Sequence, residues 1–192
     1  MVNLRRAKPK THFISISCAT RTATAACSCC PLDRTPHITV DATRIRFRRA
    51  FICRAYYDRG AIFEQALDEY APQLQLSHTE TLDPAIRDRY LVREEQRNRF
   101  RTQTRENFGF AASVVQINPE SALAMLQETP GSEGEATLQF RLLEEGLLCL
   151  ANLEVEEIEV DGVLFRAFVA EAVYSWAVAA KGADSLLSRK SG

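Results

Sequence analysis

Acidic residues are missing from the start of this chain. No Asp or Glu occurs between Met1 and Leu32, while Arg5, Arg6, Lys8, Lys10 and Arg21 supply positive charge. Residues 1–50 hold 10 Lys+Arg and 2 Asp+Glu, a balance of +8. Residues 51–192 hold 14 and 23, a balance of −9, and the two sum to the −1 of the whole. The near-neutral total therefore conceals a basic leader joined to an acidic body. Other scarcities are as instructive. Of the 3 histidines, His12 and His37 fall in the leader, which leaves only His78 for the body. No G-x-G-x-x-G, G-x-x-x-x-G-K-[ST], H-E-x-x-H or G-x-S-x-G occurs, so the common dinucleotide, P-loop, zincin and hydrolase signatures are absent. Gly131, Gly134 and Gly146 are too widely spaced for a phosphate cradle. No uninterrupted apolar run approaches the ~20 residues of a membrane span.

The leader, residues 1–40, is rich in Ser, Thr and Ala and has no sustained apolar stretch. Such a composition cannot bury enough surface to offset the entropy of ordering, and predicts disorder. A basic, Ser-rich, acid-poor N-terminus fits a mitochondrial or chloroplast transit peptide, and Phe13–Ala19 is too short and polar for a secretory signal. A native tail or an upstream start codon fits equally. An organelle is the expected compartment under the first reading, and the cytoplasm under the others.

Four of the 6 cysteines, Cys18, Cys27, Cys29 and Cys30, lie in the leader. Tetrahedral zinc sites commonly use two separated Cys pairs. Here one C-x-C-C cluster is followed by His37 alone, so no metal site is assigned. Cys53 and Cys149 lie in apolar surroundings and read as small core residues. Two cysteines do not make a disulfide framework, and a reducing environment fits best.

Residues 41–192 are sized for one domain with a sizeable core. Thr43–Tyr57 alternates in a strand-like way, and Ala61–Leu74 has helical spacing. Asp83 and Pro84 are strong cap and first-turn residues, and predict a helix from Pro84 to about Asn107. Phe108–Asn118, with Val114 and Val115, reads as a strand. Asn118-Pro119 opens a short helix to about Gln127, and residues 129–135 form a loop. Ala136–Glu154 fits a helix, or two strands about Gly146. Asp161-Gly162 between Glu157–Val160 and Val163–Phe168 is a two-residue hairpin signature. Ala170 to about Leu187 closes the chain as a helix. Helices interleaved with short antiparallel hairpins predict an α+β domain.

One motif stands out. Arg89, Arg93, Arg97, Arg101 and Arg105 recur every fourth residue. On one helix they form a slowly winding guanidinium stripe ~24 Å long. Guanidinium binds carboxylate and phosphate bidentately, so the stripe is the candidate partner- or phosphate-binding site. A solvated face with i, i+4 pairs such as Glu95–Arg99 is the bland alternative. Glu144, Glu145, Glu154, Glu156, Glu157, Glu159 and Asp161 make an acidic concentration. They read as the solvent face of a hairpin, or as a complement to the stripe within one molecule or between two copies. Trp176, the only tryptophan, sits on an apolar helical face and reads as core.

No catalytic residue, cofactor or small-molecule ligand is assigned. The expected function is a non-catalytic binding or assembly factor that engages an acidic protein surface, or itself, through the stripe. A nucleic-acid-binding protein, for RNA or as a mobile-element accessory, is the first alternative. The acidic body weakens it by repelling phosphate. A small cofactor-free enzyme is the second.

Overall fold

The computed structural model describes residues 2–5, 45–47, 54–97, 102–148 and 157–187. It is a helical protein. The helices are α1 (Arg54–Tyr70), α2 (His78–Leu82), α3 (Pro84–Gln96), α4 (Thr102–Ile117), α5 (Pro119–Gln127), α6 (Glu133–Leu148) and α7 (Gly162–Lys181). Three short segments, β1 (Val2–Arg5), β2 (Ile45–Phe47) and β3 (Glu157–Val160), pair in the order β1-β3-β2. β1 is antiparallel to β3, with Val2 opposite Val160, and β2 is parallel, with Ile45 opposite Ile158. This ladder joins segments distant in sequence and contains no hairpin. The α+β expectation, with its antiparallel hairpins, is thus overturned.

The centre of the fold is α7. Every residue from Leu164 to Ala179 is buried, and α1, α3, α4, α5 and α6 all pack on it. A helix apolar all round must be enclosed, because no face of it is suited to water. Trp176 is core as expected: it stacks on Tyr90 of α3 with ring centroids 4.1 Å apart, and its Nε1 donates to Ala112 O at 3.2 Å. Phe63 of α1 tilts against Tyr174, and Phe110 of α4 against Phe165. Gly60 lies where α1 and α7 come closest. A Cβ placed there would stand 2.3 Å from the Ala167 Cβ, so only glycine permits this approach.

Among the described residues, α7 is also the one helix long and apolar enough to cross a membrane by length and composition. A buried core helix meets the same criterion. Counting uninterrupted apolar residues overlooked it, because Arg166, Glu171 and Ser175 break the run.

The hairpin expectation fails because its signal has two meanings. Asp161 is the N-cap of α7, its carboxylate accepting from Leu164 N at 3.0 Å, and Gly162 is the first helical residue. Among the described glycines only Gly131 and Gly182 have positive φ, so the type I′ geometry is absent. Val163–Phe168 is the first part of α7. The next misreading has a different cause. Phe108–Asn118 is not a strand: residues 102–117 form α4. A short buried apolar run has no periodicity that distinguishes strand from helix, and its β-branched valines tip the local preference the wrong way. Of the Thr43–Tyr57 stretch, residues 45–47 are extended while Arg54–Tyr57 begin α1.

Elsewhere local chemistry and structure agree. Asp83 caps α3 with Pro84 in its first turn, and Asn118 caps α5 with Pro119 likewise. Ala136–Glu154, which fitted either a helix or two strands, is helical over its described part, residues 136–148, and the helix starts already at Glu133, within the residues expected to form a loop. Of the leader, only β1 is described. Cys18, Cys27, Cys29, Cys30, Cys53 and Cys149 all lie outside the described residues.

Candidate functional site

Pro84–Asn107 is not one helix. α3 ends at Gln96 and α4 starts at Thr102. Both pack on α7: α3 through Tyr90, stacked on Trp176, and α4 through Phe110 against Phe165 and the Ala112 carbonyl that accepts from Trp176. The arginines are therefore not carried on a single helix: Arg89 and Arg93 belong to α3, Arg97 is its C-cap and Arg105 belongs to α4. Arg101 lies outside the described residues, and Arg105 is in α4 with its side chain undescribed.

The other three turn toward α7. Arg89 Nε donates to Ala179 O at 2.8 Å. Arg93 donates from Nη1 to Ala183 O at 3.0 Å and from Nη2 to Asp184 O at 2.9 Å. These carbonyls belong to the end of α7 and the bend after it, where Gly182 takes φ +61° and its N–H returns to Ala179 O. A helix C-terminus presents orphan carbonyls and a partial negative charge, and guanidinium answers both. Arg97 reaches deeper, to Glu171 Oε1 at 3.2 Å, and also pairs with Glu94 at 3.3 Å. The four-residue spacing is thus accounted for, over its described part, by the need to hold α7.

Two residues of α7 complete the arrangement. Glu171, 2% exposed, accepts from Arg59 Nε at 2.9 Å and Nη2 at 2.7 Å as well as from Arg97. Arg166 has the opposite charge and a parallel setting. It pairs with Glu64 of α1 at 3.0 Å and Glu135 of α6 at 3.3 Å. Its remaining donors meet Met125 O, Leu126 O and Glu128 O at the end of α5. Burial works against the Arg166 charge, but the bonds and charges of Glu64 and Glu135 outweigh it and raise its pKa. A charge taken out of water persists only when paired and hydrogen-bonded like this. Gln139 adds a further bond to Glu135 at 2.9 Å and holds Gly162 O at 3.1 Å.

Sequence reading missed these two centres. A signal was present: Arg166 and Glu171 are the only charged residues between Val163 and Ala180. A charge inside such a run demands a partner from another element. The acidic concentration, by contrast, disperses. Asp161 is a helix cap, Glu145 pairs with Arg141 at 3.0 Å and binds Asn118, and Glu154 and Glu156 lie outside the described residues. Glu157 and Glu159 are in β3, not in a hairpin. His78 opens α2, where its backbone N–H donates to Glu120 Oε1 at 3.0 Å. Among the described residues no group of three or more His, Cys, Asp and Glu is placed to hold a metal ion. Comparison with protein-family models, curated proteins and solved structures finds no match.

Proposed function

We propose that this protein is a non-catalytic binding or assembly factor whose recognition element is the outer face of α3 together with Arg101 and Arg105. The observation that carries the reading is the exposure of that face. Ala85, Asp88, Arg89, Val92, Glu95 and Gln96 all lie in solvent while Tyr90 beneath them is buried. Val92, 52% exposed, is an apolar centre with charges on either side. An apolar centre within a polar rim is how protein-binding patches are built. Arg89 is held by its Nε yet stays exposed, so its orientation is largely set before a partner arrives.

A protein surface suits this face better than a nucleic-acid backbone. Arg93 and Arg97 bond within the fold, which leaves few guanidinium groups to track phosphates. An organelle would be the site of action if residues 1–40 are removed as a transit peptide, and sequencing the native N-terminus tests that.

The functional test uses the full chain with Arg89, Arg101 and Arg105 changed to Gln. Affinity capture with quantitative mass spectrometry should lose a set of acidic proteins, while circular dichroism shows the helical fold retained. An unchanged set of captured proteins would overturn the reading. Arg89 makes one bond to α7, at Ala179 O, and circular dichroism is the control for its loss; Arg93, with two bonds to the bend, and Arg97, paired with buried Glu171, are left unchanged.

A further inference from the structure

The outer face of α3 has an internal symmetry that selects one kind of partner. Let a second copy of α3 lie antiparallel on the first, with a two-fold axis through Val92. Residue i of one copy then faces residue 184 − i of the other. Val92 meets Val92 on the axis, Arg89 faces Glu95 twice, and Asp88 faces Gln96 twice. No like charges are opposed at these positions. Residues 85, 88, 89, 92, 95 and 96 recur at three- and four-residue steps, so they share one face, and each of them is exposed. An isologous dimer needs this kind of self-complementary patch.

We infer that α3 is a homodimerisation helix, seated antiparallel on the α3 of a second copy about Val92. The inference rests on the reading of α3 as the recognition element and commits to a second copy as occupant. The 13 residues of α3 span only ~20 Å at a rise of 1.5 Å per residue. One helix face of that length falls short of the ~800 Å² per partner of a standard interface. The dimer is therefore weak and concentration-dependent. The charge pairs at its edge set orientation more than affinity.

Sedimentation equilibrium of the purified full chain, from about 10 μM to 1 mM, tests this over the range where such an affinity is visible. Three variants accompany it: Arg89→Glu, Glu95→Arg and Val92→Asp. The parent should associate to a dimer, and each variant alone should associate at least about tenfold more weakly. An equimolar mixture of Arg89→Glu with Glu95→Arg should recover the dimer. In that heterodimer one edge carries the pair with its two charges exchanged between the copies, and the other edge keeps the parent pair of Arg89 and Glu95. Glu95→Arg touches no described bond of the fold, so it keeps the test valid even where Arg89→Glu weakens the end of α7. A parent that stays monomeric to the highest concentration overturns the inference. So does a dimer that all three variants leave intact, or a mixture that fails to recover it. A monomeric parent that still loses acidic partners on Arg-to-Gln substitution would retain the broader binding reading and reject only self-association.

Discussion

The two charged centres on α7 use the same device with opposite sign and different exposure. At Arg166 a cation lies between Glu64 and Glu135, with relative side-chain exposures of 7%, 26% and 8%. At Glu171 an anion lies between Arg59 and Arg97, and Arg59 is 49% exposed. The first centre is closed, and its guanidinium also satisfies the backbone carbonyls at the end of α5. The second opens to water on the α1 side. Losing a closed charge strands partners that water cannot reach, whereas losing one half-open charge lets water replace it. Burial, more than the number of ion pairs, should rank their contributions.

The largest effect should come from Arg166→Ala. It removes the counter-charge of Glu64 and of buried Glu135 and the donor to Leu126 O and Glu128 O, at a cost of about 3–5 kcal/mol. Urea unfolding measures it, and a loss below ~1 kcal/mol would mean that the centre is wetter than its geometry indicates. Replacing Arg166, Glu64 and Glu135 together with Met sharpens the point. A bare ion triad can be exchanged for apolar residues nearly neutrally. Here Leu126 O and Glu128 O would lose the donor that Arg166 supplies, so the triple variant should stay about 1–3 kcal/mol below the parent.

Glu171→Ala comes next, at about 1–3 kcal/mol, because Arg59 can turn to water while Arg97 is only partly free to do so. If it matched Arg166→Ala, exposure would not be what separates the centres. Gly60→Ala should fall in the same range, about 1–3 kcal/mol, since its methyl would meet Ala167 and push α1 from α7 beside both centres. Thermal melts of this variant should show a single transition at lower temperature, not a second transition. The smallest effect belongs to Arg59→Ala, under about 1 kcal/mol for a half-exposed pair and smaller still in high salt. A larger, salt-independent loss would show that this side of the Glu171 centre is closed after all.

How much of this was legible beforehand depends on where each signal resides. Asp83-Pro84 and Asn118-Pro119 mark helix starts because a cap bonds to N–H groups two or three residues away, and no distant element is needed. Asp161-Gly162 was misread although its chemistry is equally local. The same Asp can close a hairpin or cap a helix, and only the enclosure of Leu164–Phe168 by α1, α4 and α5 decides between them. The arginine periodicity was legible, but not its direction. A four-residue repeat places guanidinium groups on one helix face without saying whether solvent or another helix lies there.

By itself the sequence determined the helix caps at Asp83 and Asn118, the division between a basic leader and an acidic body, and the presence of two charges inside an apolar run. Each of these depends on composition or on bonds within a few residues. The tertiary structure alone decided that the run is one central helix, that Arg89, Arg93 and Arg97 hold its C-terminal half, and that Arg166 and Glu171 each gather two opposite charges. Those outcomes require residues such as Glu64 and Arg166, or Arg59 and Glu171, to meet across more than a hundred positions of chain. A buried charge dictates that a partner must exist. Only the packing of α1, α3 and α6 around α7 selects which one.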